Sequence, residues 1–175
     1  MKGLKVGILT ASDSGAKGER EDASGAKIRE IVEAHGGTVI HHVIVADDRD
    51  VIARELRDMA DHRGADVIFT TGGTGLGPRD NTPEATYEVI EKEVPGIAEA
   101  MRWHSLKFTP RAMLSRAIAG VRGTTLIVNM PGSTKAVEEC LQVVLPAIPH
   151  AVAVLRGEVR NCAAEREVAG DADPH

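Results

Sequence analysis

Short apolar runs alternate along this chain with segments whose apolar residues recur at helical spacing. No other feature constrains the fold as strongly. "KVGILT" carries Val6, Ile8 and Leu9 and exits into serine and glycine, which reads as a buried strand. From Ser24 to Ala34, Ile28, Ile31 and Val32 mark a helix that Gly36 and Gly37 end. "TVIHHVIVA" is a second strand, Ile52, Leu56, Met59 and Ala60 mark one face of a second helix, and "ADVIFTT" is a third, fully apolar strand. Pro83 opens a helix to about Ile90, Pro95 opens another at its first turn, and "TTLIVNMPG" is a further strand. In the last apolar stretch, with Val137, Leu141, Val144, Leu145 and Ile148, Pro146 and Pro149 should kink or break the helix. Strand-helix-strand units of this kind need right-handed crossovers. The expected fold is a three-layer αβα single domain with a mostly parallel central sheet over residues 1–160, followed by a polar, acidic, disordered tail at 161–175.

Composition narrows the function. The net charge of −5 argues against a nucleic-acid backbone as partner. Aromatics at 2% leave almost no stacking platform for single strands. Only Cys140 and Cys162 are present, without C-x-x-C spacing, which suits a reducing cytoplasm rather than a disulfide scaffold. No apolar run reaches the roughly 18 residues of a membrane span, so no membrane partner is expected. The opening "MKGLKVGILTASDSG" reads as a first strand rather than a signal peptide.

"TTGGTGLGPRDNTPEAT" follows the third strand. In parallel α/β sheets, ligands sit beyond the carboxyl ends of the strands. Glycines there let backbone amides approach an anion, and successive amides form a nest for phosphate. The stretch lacks the Gly-Lys-Ser/Thr ending of a P-loop, and Pro78 occupies the last glycine's place in a G-x-G-x-x-G fingerprint. A ligand-free glycine turn is the plain alternative. Thr82 is the expected N-cap before Pro83, which leaves Asp80 spare. Asp47 and Asp48 end the second strand and either cap the next helix or face the same edge as the glycine loop. Two carboxylates beside a phosphate would repel it unless Mg²⁺ lies between them. "IVNMPGSTKA" puts Asn129, Gly132, Ser133 and Lys135 at a second strand-to-helix turn, where Ser133 could equally be a cap. His41 and His42 point to opposite faces of a strand and read as structural, and Cys140 reads as core.

Taken together, "TTGGTGLGPRDNTPEAT", "NMPGSTKA" and "SLKFTPRAMLSRAIAGVRG" resemble the MoaB/Mog family, the molybdopterin adenylyltransferases of molybdenum cofactor synthesis, to about Gly157. The resemblance implies a homotrimer that uses ATP and Mg²⁺ to adenylylate the terminal phosphate of molybdopterin, releasing pyrophosphate, with a molybdenum-insertion protein as the downstream partner it allows. It puts Asp47 and Asp80 at the family's two catalytic aspartates, which would also place the metal. Gly72, Gly73, Thr74 and Gly75 match its phosphate-binding loop. Ser105, Ser115, Asn129, Pro131, Gly132 and Ser133 match positions lining its pocket, and Ser12 and Asp13 match a first-strand pair. Ala46 departs from the proline many relatives carry before the aspartate. Arg79, Arg116 and Lys135 are candidate counter-charges without an assigned role. A non-catalytic molybdopterin carrier or scaffold, and a structural oligomer with an empty glycine turn, are the competing readings.

Overall fold

A computed structural model describes residues 1–159. The expected tail at 161–175 lies outside the described residues. The strands are β1 (Lys5–Ala11), β2 (Thr38–Val45), β3 (Val67–Thr71), β4 (Lys92–Glu93), β5 (Ala119–Arg122) and β6 (Thr125–Met130). The helices are α1 (Asp13–Ala16), α2 (Ala23–Ala34), α3 (Arg49–Asp61), α4 (Thr82–Tyr87), α5 (Pro95–Ser105), α6 (Thr134–Val144) and α7 (Ile148–Leu155). Two 3-10 turns lie at Pro110–Leu114 and Leu145–Ala147. The second contains Pro146 and separates α6 from α7, the break expected there, while Pro149 instead sits in the first turn of α7.

The six strands are ordered β2-β1-β3-β6-β5-β4. β1 pairs in parallel with β2 and β3, and β3 with β6. β5 is antiparallel to both β6 and β4. Alternation along the strands builds two cores. Val6, Ile8, Val67, Phe69, Leu126 and Val128 pack against α2, α5, α6 and α7 on one face. Leu9, Ile68 and Ile127 pack against α3 and α4 on the other. Gly7 admits α3 closely, since a Cβ there would stand 2.6 Å from Met59 Sδ. Histidines 41 and 42 are structural in the expected sense: His41 bonds Glu55 at 2.8 Å, and His42 bonds Asp22 at 2.8 Å.

The helical stretch Thr134–Leu155 spans 22 residues and by length and composition is apolar enough to cross a bilayer. The sequence shows no uninterrupted apolar run of that length because Lys135, Glu138 and Glu139 punctuate it. Val137, Leu141, Val144, Ile148 and Val152 on this stretch belong to the first core.

The chain runs from β1 outward to β2, then returns across β1 to β3. The loops after β1 and β3 therefore diverge between neighbouring strands, which is where an open α/β sheet forms its crevice. Ser12 and Asp13 leave β1 there, and the glycine loop leaves β3.

Candidate active site

The glycine loop begins with two residues of positive φ, Gly72 at 89° and Gly73 at 64°. A Cβ on Gly72 would overlap the carbonyl oxygen of Ala11, and one on Gly73 would overlap Thr82 Oγ1. Thr82 is thus not the N-cap that its place before Pro83 suggests. Asn81 holds that position without a side-chain bond, and Thr82 Oγ1 donates to the carbonyl of Gly72 at 2.9 Å. The Thr82 amide donates to Gly73 O at 3.1 Å. These bonds close the loop onto the start of α4. The amides of Gly73, Thr74, Gly75 and Leu76 find no acceptor among the described residues. Successive free amides in a turn are the raw material of an anion site.

Both predicted aspartates lie against this loop. Asp80 Oδ2 accepts the Gly77 amide at 2.7 Å and stands 2.9 Å from the Cβ positions of Gly75 and Gly77. Asp47 Oδ1 stands 3.4 Å from the Cβ position of Gly73. Asp48, not Asp47, caps α3 by accepting the Val51 amide at 3.0 Å. Asp47 instead exchanges bonds with Asp13: the Asp13 amide donates to Asp47 Oδ2 at 2.8 Å, and the Asp47 amide donates to Asp13 Oδ1 at 3.0 Å. Arg79 completes the group, its Nε 3.0 Å and its Nη2 2.8 Å from the two Asp13 oxygens.

The charges in this cluster are unevenly matched. The Arg79 hydrogen bonds, with help from the Asp47 amide, hold the Asp13 carboxyl below the usual range. Burial pushes Asp47 up from its ordinary 3.8, and the negative charges of Asp13 and Asp80 push it further against the Asp13 amide bond. A folded-state pKa above the unfolded one means that ionised Asp47 opposes folding once pH rises through it. In magnesium-free buffer, Asp47→Asn should therefore melt above the wild type at pH 7, with the gap closing as pH falls toward 3.8. Thermal melts across that range check the sign, and a lower melting point at pH 7 contradicts it.

Two cavities flank the loop. The first, of about 580 Å³, is lined by Gly72, Gly73, Thr74, Gly75 and Asp80 at one end and by Ser105, Ser115 and Cys140 elsewhere. Pro131 and Gly132 also border it. Cys140 is core, as expected, but its Sγ also reaches Ser105 Oγ at 3.7 Å, and burial raises the thiol. The second cavity, of about 360 Å³, is lined by Ser12, Asp22, Ser24, Gly72, Gly132 and Ser133, among others. Gly72 and Gly132 are common to both, and a Cβ on Gly132 would stand 3.4 Å from Gly72 Cα. Asp13 and Asp47 line neither cavity.

Several expected site residues have structural employment. Ser12 caps α1 through the Gly15 amide at 3.1 Å. Ser133 caps α6 through the Ala136 amide at 3.2 Å. Lys135 is exposed on the first turn of α6, 3.9 Å from Glu139. Asn129 is fully buried and lines neither cavity. Its Nδ2 donates to Thr70 Oγ1 at 3.0 Å and Thr86 Oγ1 at 2.9 Å, and its Oδ1 accepts the Ile118 amide at 3.3 Å. It ties the strand ends beneath the site together. Asn129→Ala leaves those groups unpaired in a dry place, so it should cost about 2–3 kcal/mol. A melting point unchanged from wild type would contradict this.

Residues the sequence reading passed over include Asp22, at the second cavity, and Ala98, Met101 and Arg102, which line the first. Ala98 and Met101 are spaced as one face of α5 and read simply as core. Asp22 caps α2 by accepting the Gly25 amide at 2.8 Å.

This is the layout of a doubly wound α/β domain whose ligand cleft opens at the switch point of its sheet. The chain belongs to the molybdenum cofactor biosynthesis family whose model, described as "Probable molybdopterin binding domain", matches residues 7–150. It is 46% identical over 159 residues to a molybdopterin adenylyltransferase of Helicobacter pylori, covering 90% of each chain. It also resembles the solved structure of the molybdopterin biosynthesis enzyme MoaB of Thermus thermophilus, with a TM-score of 0.83, 51% identity, and coverage of 88% of this chain and 97% of that one. The tungsten cofactor synthesizing protein MoaB of Pyrococcus furiosus superposes with a TM-score of 0.80 at 36% identity, covering 89% of this chain and 99% of that one.

Proposed function

We propose that this chain is a molybdopterin adenylyltransferase, which transfers AMP from ATP to the terminal phosphate of molybdopterin. The observation that carries the reading is the pair of cavities meeting at Gly72 and Gly132, beside a run of acceptor-free amides. A reaction that joins two phosphate-bearing molecules needs two compartments with a common phosphate edge, whereas a carrier needs one.

In this reaction an oxygen of the molybdopterin phosphate bonds to the α-phosphorus of ATP. The bond from that phosphorus to the bridging oxygen breaks, and its electron pair leaves with pyrophosphate. A phosphate monoester carries a second pKa of about 6, so the attacking oxygen is already ionised at neutral pH and needs no base from the chain. What the chain must do is position the reactants and offset charge. The amides of Gly73, Thr74, Gly75 and Leu76 would receive phosphate oxygens, with Gly72 and Gly132 allowing close approach. Ser105, Ser115 and Pro131 would border one reactant, and Ser12 and Ser133 the other. Arg79 would keep Asp13 neutralised, and Asp13 would hold Asp47 in place.

The donor set fits a metal that arrives with its substrate. Asp47 is partly buried, with the carboxylates of Asp13 and Asp80 acting on it against Arg79, yet among the described residues no group of three or more His, Cys, Asp or Glu could hold an ion alone. Mg²⁺ is commonly bound by one or two carboxylates plus substrate phosphates, and Asp47 and Asp80 would hold it here. When bound, it would offset the charge of the reacting phosphates.

Assembly into a homotrimer belongs to the same proposal, as does a place in the cytoplasm. Trp103, Phe108, Met113 and Leu114 are exposed apolar residues, and Leu114 also lines the first cavity. A neighbouring copy on this patch would border that cavity. Pyrophosphate release from ATP, measured with and without molybdopterin, tests the catalytic reading. Release that requires both compounds supports it. Saturable molybdopterin binding without release would instead identify a carrier.

A further inference from the structure

The free amides of the glycine loop need something to turn them outward. Arg116 lies on the loop's other side. Its amide donates to Thr74 O at 2.9 Å. Its Nε donates to Gly75 O at 2.6 Å, and its Nη2 donates to Asp80 O at 2.6 Å. Its Nη1 pairs with the Glu84 carboxylate on α4. Every peptide bond in the described chain is trans, and in a planar trans peptide the carbonyl and the next residue's N–H point in opposite directions. Drawing the Thr74 and Gly75 carbonyls toward Arg116 therefore directs the Gly75 and Leu76 amides away from it. Holding Asp80 O fixes the backbone that carries the Asp80 carboxylate.

Arg116 does not line either cavity, and Glu84 neutralises its charge. A direct role as counter-ion to a phosphate does not suit that placement. We infer that Arg116 is a positioning residue, which orients the phosphate-binding amides and Asp80 from behind through its forked guanidinium. This inference rests on the functional reading above. It adds a residue that acts on the loop without touching substrate.

The test is the inhibition constant of inorganic pyrophosphate in the transfer assay. It is read from active molecules only, so partial misfolding lowers the rate but leaves the constant unchanged. Arg116→Met should raise it about tenfold or more, since several charge-assisted bonds to the loop are lost. Arg116→Lys keeps the charge but not the fork, and cannot serve both carbonyls and Glu84 together. It should stay raised, and it carries the test if Arg116→Met does not fold. Arg122→Met is the control. Arg122 makes a comparable fork, to Asp61 at 2.8 and 2.7 Å and to Val89 O at 3.0 Å, away from the loop, and its loss should leave the constant unchanged. A wild-type constant in Arg116→Met, or full recovery in Arg116→Lys, overturns the inference while the functional reading stands. A wild-type protein that neither transfers AMP nor binds pyrophosphate overturns both.

Discussion

Replacing Asp80 by Asn should lower the rate of adenylyl transfer by about 10²- to 10³-fold while leaving molybdopterin affinity within about threefold. Asparagine has nearly the same volume, and its side-chain oxygen can still accept the Gly77 amide that Asp80 Oδ2 takes at 2.7 Å. The turn should therefore persist. What disappears is one negative charge beside Gly75 and Gly77, where the proposal needs it to place a cation against phosphates. Because that charge matters most as the phosphates react, the loss should fall on kcat rather than on ground-state binding. Equal losses of binding and transfer would mean that Asp80 serves only to close the turn.

Gly72→Ala should have the largest combined effect on stability and activity. Gly72 has φ of 89°, and a Cβ there would overlap Ala11 O. Ala11 ends β1, a strand paired on both sides, so neither backbone can yield cheaply. The expected cost is about 2–4 kcal/mol, a fall in melting temperature of about 5–15 °C for a domain of this size. The substitution also pushes apart the wall that separates the two cavities and strains the bond from Thr82 Oγ1 to Gly72 O. Displacing reacting groups by about 1 Å costs about 10²-fold in rate, so the surviving folded protein should be impaired to that degree. Gly18→Ala separates conformation from contact. Gly18 has φ of 73° with nothing within 4 Å of a Cβ, so it should cost only about 1–2 kcal/mol and leave transfer intact. Equal melting shifts for the two variants would contradict the crowding at Gly72.

The parts of the fold that were legible in the sequence are those that announce themselves locally. β1, β3 and β6 are short, mostly apolar runs, buried on both faces because helices cover each side. The break at Pro146 reflects a missing amide, which is a property of the residue itself, whereas Pro149 breaks nothing because it sits in the first turn of α7, where its amide would have no partner. β4 and β5 went unread. β4 is two exposed residues, Lys92 and Glu93. β5 is four residues with Gly120 in it, and a Cβ there would crowd Ile90 Cδ1 at 2.5 Å and Lys92 O at 2.7 Å. Such strands exist through pairing with distant chain, and periodicity does not record pairing.

The site divides in the same way. That a glycine loop, Asp47 and Asp80 share one sheet edge follows from parallel strand direction, and the structure brings them together. Thr82 and Asn129 differ from the sequence reading for one reason: each has a polar side chain whose partner lies beyond its own turn. Thr82 looked like a cap because Pro83 follows it, but its hydroxyl goes to Gly72. Asn129 looked available to a ligand because it ends a strand, but Thr70, Thr86 and Ile118 consume its amide. From the sequence Arg116 reads as a bare charge. Its bonds to Gly75 O and Asp80 O depend on how two loops meet, which no local pattern encodes.

The most direct measurement is the mass of the pterin recovered after incubating the purified protein with molybdopterin, ATP and Mg²⁺. Adenylyl-molybdopterin, formed in step with pyrophosphate, is the predicted product. Molybdopterin recovered unchanged while still bound by the protein, with ATP intact, would contradict the assignment of two substrates to the paired cavities.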